Sequence, residues 1–143
     1  MSILPWKRNT DSDSRPGHLR AGEWGEECAG RFLAGKGMKI IGRRVRIGGR
    51  DEIDIVARDG STLVFVEVKT RKSEAFGRPA AAVDRRKRQT TSRAAVRYLR
   101  KLKSPSVLFR FDVVEVVGIE EDGDPVLRHI ENAFPLDSRY SLP

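Results

Sequence analysis

Glu52, Asp54, Glu67 and Lys69 interrupt the stretch Arg50–Arg71, whose other residues are largely apolar and β-branched. Buried charge is costly unless it is paired or bound to a metal, so four charges in strand-like sequence need a reason. Two neighbouring carboxylates repel by roughly 2–3 kcal/mol at an effective dielectric near 20. Protonation, the Lys69 ammonium or a divalent cation would offset this. Carboxylate oxygens with water ligands are what Mg²⁺ or Mn²⁺ prefers. A metal so held lowers the pKa of an attacking water and polarises a phosphoryl oxygen. Lys69 would orient that water or stabilise charge developing on the phosphate. The competing reading is a cross-strand salt bridge between Lys69 and the carboxylates.

Two strands and a turn must position these groups. Asp59-Gly60 signals a two-residue type I′ turn, which pairs Arg58 with Ser61, Asp54 with Phe65 and Glu52 with Glu67. Period-two alternation then puts Glu52, Asp54, Glu67 and Lys69 on one face. Asp54 and Glu67 become diagonal neighbours, roughly 5–8 Å apart at Cβ. Upstream, a helix is expected from Gly22, with Trp24, Cys28, Ala29, Phe32 and Leu33 on one apolar arc and Gly35 and Gly37 as its stop. Glu23, Glu26 and Glu27 load its first turns, where the helix dipole favours anions. Glu26 falls at the border of the arc, positioned to lean over a sheet edge, with Asp54, Glu67 and Lys69 expected on the face under the helix that carries it. A dipole-compatible surface glutamate is the alternative.

The remaining elements follow from pattern. Met38–Ile47 reads as a half-exposed strand with a basic outer face, turned by Gly48-Gly49. Gly77 and Pro79 mark a loop, and Asp84 is the expected N-cap of a helix to about Lys103. Ala94, Ala95, Tyr98, Leu99 and Leu102 form its apolar face. Its other face is cationic, with almost no acidic partners at i+4. Together with Arg71, the residues Arg85, Arg86, Lys87 and Arg88 are therefore expected to contact phosphates. Val107–Val117 is a further strand, Gly118–Pro125 an acidic turn and Val126–Ile130 a short edge strand. The order α-β-β-β-α-β gives an α/β fold with a mixed central sheet flanked by helices. Residues 1–21 are expected to be a mobile arm, 22–130 a single domain and 131–143 an irregular tail.

The chain has 143 residues, enough for one domain with a real core. Its 28 Lys and Arg outnumber 20 Asp and Glu, a formal charge of +8. Such an excess favours polyanions, nucleic acid ahead of membrane. A single cysteine, Cys28, rules out an intramolecular disulfide framework. No apolar run approaches the roughly 18–20 residues that span a bilayer, and the first residues lack a secretory h-region. A cytoplasmic location is the expectation.

Asp54, twelve further residues and then Glu67-Val68-Lys69, on a hairpin preceded by a glutamate-bearing helix, resembles the PD-(D/E)XK nuclease superfamily. The segments GEECAGRFLAGKG, EIDIVARDG, LVFVEVKTR, FGRPAAAVDRRKR and FRFDVV are similar to the bacterial YraN family over about residues 22–117. That resemblance implies a restriction-endonuclease-like core and, by analogy with junction resolvases, divalent-metal cleavage of DNA, including branched DNA, by a homodimer. By position it implies Glu26, Asp54 and Glu67 as metal ligands, with Asp54, Glu67 and Lys69 as the catalytic set. Lys87 and Tyr98 match basic and aromatic positions of the second helix. Where the family has glycine before E-I-D, this chain has Asp51, a carboxylate that crowds the metal or faces solvent. A nucleic-acid-binding module that keeps the fold without turnover is the alternative function.

Overall fold

The computed structural model describes residues 17–73, 85–103 and 107–140. The expected N-cap Asp84 and the loop residues Gly77 and Pro79 lie outside these. The elements run α1 (Gly17–Gly35), β1 (Lys39–Ile47), β2 (Asp51–Asp59), β3 (Thr62–Arg71), α2 (Arg85–Leu102), β4 (Phe109–Val117) and β5 (Val126–Phe134), with one 3₁₀ turn at Glu120–Asp122. This is the expected α/β order with the edge strand added. No helix among the described residues is long and apolar enough to cross a membrane.

The helix α1 begins at Gly17, ahead of the expected Gly22, and its first turn carries no acidic residue. The dipole argument for Glu23, Glu26 and Glu27 therefore does not hold. Its apolar arc does: Ala29 and Leu33 are fully buried, with Trp24, Cys28 and Phe32 packed beside them. Gly37 ends it at φ 96°, its N–H donating to the Ala34 carbonyl at 3.0 Å, while the Met38 N–H reaches Leu33. Only glycine adopts that φ cheaply.

The five strands lie in the order β1-β2-β3-β4-β5. β3 and β4 are parallel, joined through α2, and all other pairs are antiparallel. Each face buries its own core. Leu63, Phe65, Phe111 and Phe134 meet Ala94, Ala95 and Leu99 of α2, with Phe111 and Phe134 stacked at 5.0 Å. Val64, Val66, Val114 and Val116 meet Ala29 and Leu33 of α1. Alternation along β3 and β4 thus sorts one strand pair between two helices.

The hairpin register differs from the expected one. Asp59 pairs with Thr62 and Arg58 with Leu63, leaving Gly60-Ser61 as the loop. Gly60 takes φ 60° and Ser61 stays outside the left-handed region, the glycine-first pattern of type II′ rather than I′ turns. The pairing sum moves by two, so parity survives. Asp54 stands across from Glu67 instead of Phe65, just beyond the last paired rung, Ile55 with Val66.

β5 extends to Phe134, four residues past its expected end, because a bulge lets it continue. The register shifts between Phe111 and Val113, and Asn132 takes φ 50°. The Asn132 N–H donates to Asp112 Oδ1 at 2.9 Å. The fully buried Asp112 also accepts from Arg110 Nε at 3.0 Å and meets His129 Nε2 at 2.7 Å. Lys36 Nζ, which can only donate, lies 3.0 Å from His129 Nδ1. That assigns the imidazole proton to Nε2, directed at Asp112.

Candidate metal and nucleic-acid site

β2 and β3 part company after Ile55 and Val66, and the gap is filled by side chains. Asp54 Oδ2 accepts from the Val68 N–H at 2.9 Å, in place of a ladder partner. Alternation along β2 breaks here as well. Ile53 and Val56 pack on the α2 side, whereas Ile55 and Ala57 pack on the α1 side. The break frees Asp54 to turn to Glu67, with which it shares a hydrogen bond.

Glu67 is only 8 % exposed. Burial first, then the facing Asp54, raises its pKa to about 8. Asp54 is also raised by burial, opposed by the Val68 N–H and the Lys87 charge. Burial and mutual repulsion thus both favour a proton held between the two carboxyl groups. Lys87 Nζ of α2 lies 3.5 Å from Glu67 Oε1. Burial pulls the Lys87 pKa down, but Glu67 and Asp54 more than restore it.

Lys69 shares the Glu67 face, because the β3–β4 ladder is regular from Leu63 to Arg71. Its register partner is Glu115. This face is that of Phe65 and α2, so Glu67 and Lys69 do not lie under α1 as expected. Glu26 comes from the opposite side of the sheet, held there by close packing: a Cβ at Gly25 would run into Thr70 Oγ1. Burial raises the Glu26 pKa, and Asp54 and Glu52 add to the rise, so it shares the same field. Its hydrogen bond, however, goes to Arg44, with Nε to Oε2 at 2.6 Å. Glu52 turns to Arg46 at 3.4 Å.

Among the described residues no cluster of three or more Asp, Glu, His or Cys is arranged to hold a metal. Two of the three expected ligands meet, and the third is engaged elsewhere. The donor chemistry of the pair still fits a hard divalent cation: two largely buried carboxylates share a hydrogen bond, with the Lys87 ammonium beside them.

Of the expected phosphate contacts, Arg85 and Arg86 are exposed on the first turn of α2. Lys87 serves the carboxylate pair, and Arg88 lies over the Phe134 ring at 5.6 Å. Arg71 ends β3, its carbonyl accepting from the Gly118 N–H at 2.8 Å. Four cations at a helix N-terminus oppose the dipole, an arrangement poor for stability and good for anions. Farther along, Arg93 and Arg97 are not available in this way. Arg93 grips Asp51 with two bonds of 2.7 Å, and Arg97 adds a contact at 3.8 Å. Asp51 neither crowds the carboxylate pair nor faces solvent; it ties β2 to α2.

The sequence matches the profile of uncharacterised protein family UPF0102 over residues 25–116. The chain belongs to this family. UPF0102 is the YraN family, so the matched span includes Glu26, Asp54, Glu67, Lys69 and Lys87. A UPF0102 protein of Symbiobacterium thermophilum is 47% identical over 115 residues, covering 80% of this chain and 96% of the relative. Others from Chlorobaculum tepidum (42% over 124 residues, 81% of this chain and 95% of the relative) and Nocardia farcinica (44% over 115 residues, 79% and 87%) are similar over about the same share.

Two features escaped sequence reasoning. Arg44 looked like one of several outward arginines, and nothing in its spacing marks it as the partner of Glu26. Lys87 was read as a phosphate contact because helix periodicity says nothing about which strand-end charge it reaches.

Proposed function

We propose that this UPF0102 protein is a divalent-metal-dependent endonuclease that hydrolyses DNA phosphodiester bonds, with branched DNA as the preferred substrate by family analogy. The observation carrying this reading is the Asp54–Glu67 pair, buried at the point where β2 and β3 separate. Asp51, by contrast, is held by a bidentate guanidinium, whereas Asp54 and Glu67 face each other. Asp54 and Glu67 would hold Mg²⁺ or Mn²⁺, with Glu26 joining directly or through water. A bound metal would supply Lewis-acid activation of the phosphate and of water. To hold the cation, Glu67 would have to release to solvent the proton it shares with Asp54. Lys69, on the Glu67 face, stabilises charge on the phosphate, and Lys87 keeps the pair from carrying uncompensated charge. Arg85 and Arg86 draw the backbone in.

The test is incubation of pure protein with Mg²⁺ or Mn²⁺ and a panel of linear, flapped and four-way DNAs. Metal-dependent cleavage that disappears in Asp54→Ala and falls by about 10²–10³-fold in Lys69→Ala supports the reading. Cleavage surviving both changes defeats it. One observation favours a second reading, a nucleic-acid-binding module without turnover: Glu26 is bound to Arg44 rather than gathered with the pair. That reading predicts salt-sensitive DNA binding with no cleavage of any substrate under any metal.

A further inference from the structure

Arg44 is the most unusual residue near the carboxylate pair. It lies inside β1 with φ 50°, a left-handed conformation that costs a non-glycine residue energy and persists only where its surroundings enforce it. In the β1–β2 ladder Arg43 pairs with Ile55 and Val45 with Ile53, so Arg44 stands opposite Asp54. Two irregularities therefore face each other: the left-handed residue of β1 and the break in alternation of β2. From this position the guanidinium reaches α1 rather than Asp54. Nε donates to Glu26 Oε2 at 2.6 Å, and Nη1 to Glu23 Oε1 at 3.2 Å. These groups, with Glu27 and Arg43, line one shallow recess.

We propose that Arg44 is a latch that withholds Glu26 from the Asp54–Glu67 pair, so that full divalent-cation binding requires the guanidinium to release it. This rests on the metal-binding reading and adds its regulation. A guanidinium and a divalent cation compete for the same carboxylate oxygens. The fork to Glu23 and Glu26 gives the latch two holds. The Glu26 oxygen that Arg44 Nε holds at 2.6 Å is the one a cation would have to claim. Once Glu26 moves to the metal, Arg44 keeps its bond to Glu23 and its Nε–H becomes available to an incoming phosphate.

Calorimetric titration of Mn²⁺ into the purified full chain tests this without any cleavage assay. Arg44→Gln is expected to tighten Mn²⁺ binding by about tenfold, the scale of one hydrogen bond to a charged group, with Arg44→Lys in between. Arg44→Gly, which adopts φ 50° without strain, guards against misfolding and should match Arg44→Gln. Arg43→Gln removes the same charge from the neighbouring position and should change affinity far less. Glu26→Gln combined with Arg44→Gln should erase the gain. Measurable wild-type binding unchanged by Arg44→Gln overturns the latch and leaves the carboxylate-pair reading intact. An equal gain from Arg43→Gln, or a gain that survives the double change, overturns it as well. No Mn²⁺ binding by wild type or by any of the three Arg44 variants overturns both the latch and the metal reading.

Discussion

Asp51 and Asp54 are three residues apart on β2, and the fold treats them in opposite ways. Asp51 is buried against two arginines of α2. Its hydrogen bonds to Arg93 hold its carboxyl below the usual range despite burial. Asp54, on the separated end of the same strand, meets a second carboxylate and a backbone N–H, and burial pushes it up. The first arrangement is what a structural charge requires: a bidentate fork that repays desolvation. The second leaves repulsion in place, relieved by a shared proton and the Lys87 ammonium. Strain that a structural role does not need is what marks a site.

If the comparison is right, damage to the two carboxylates has opposite consequences for stability. The largest effect is expected at Asp51. Asp51→Ala leaves Arg93 without its bidentate partner at the β2–α2 junction and should lower Tm by roughly 5–10 °C. A variant as stable as wild type would reduce that pair to a surface contact. Glu67→Gln should do the reverse at pH 8, raising the metal-free Tm by a few degrees, because it removes a buried carboxyl that must ionise there. A fall in Tm would mean that the ionised pair is stabilised by something other than Lys87.

The two sites should also leave opposite signatures in pH. Glu67 titrates near 8 in the folded chain against an ordinary 4.5. Between those values the folded state keeps a proton that the unfolded state has lost. Stability from this group is therefore full below about pH 4.5 and declines by a few kcal/mol as pH rises through 8. Asp51 has a lowered pKa, so its contribution is present above the ordinary carboxylate range and is lost as pH falls through the lowered value. Denaturant melts of the metal-free chain from pH 4 to 9 should show stability falling between about pH 4.5 and 8, a decline that vanishes in Glu67→Gln and persists in Asp51→Asn. A slope unchanged by Glu67→Gln contradicts the proton-sharing pair.

The smallest effect concerns α2, where Arg85 and Arg86 are exposed and Arg93 and Arg97 are spent on Asp51. Removing Arg85 and Arg86 together should reduce the salt slope of DNA binding, log K against log salt, by about 1.8. Arg93→Gln should change the slope little, since its charge is already neutralised. Equal slopes for the two variants would erase the division of the helix.

Much of this was legible in the sequence because period matters more than detail. The turn at Asp59-Gly60 was displaced by one residue on each strand. A displacement of two in the pairing sum still keeps Asp54 and Glu67 together, and the aliphatic arc of α1 survives an earlier helix start. What sequence left open depends on contacts between distant elements. Asp51 and Arg93 are 42 residues apart, and either could have faced water. The face carrying Glu67 and Lys69 was assigned to α1 because local alternation does not tell which helix covers which side. Arg44 was hidden for a different reason: its left-handed backbone is imposed by the fold at a residue type that does not prefer it. Asp112 and His129 likewise meet only after β5 bulges.

Whether Asp54 and Glu67 hold a divalent cation is tested most directly by anomalous diffraction from crystals soaked in Mn²⁺. A peak between the two carboxylates, absent from Asp54→Asn crystals, is the predicted result. A Mn²⁺ peak elsewhere, or none beside an intact Asp54–Glu67 hydrogen bond, would contradict it.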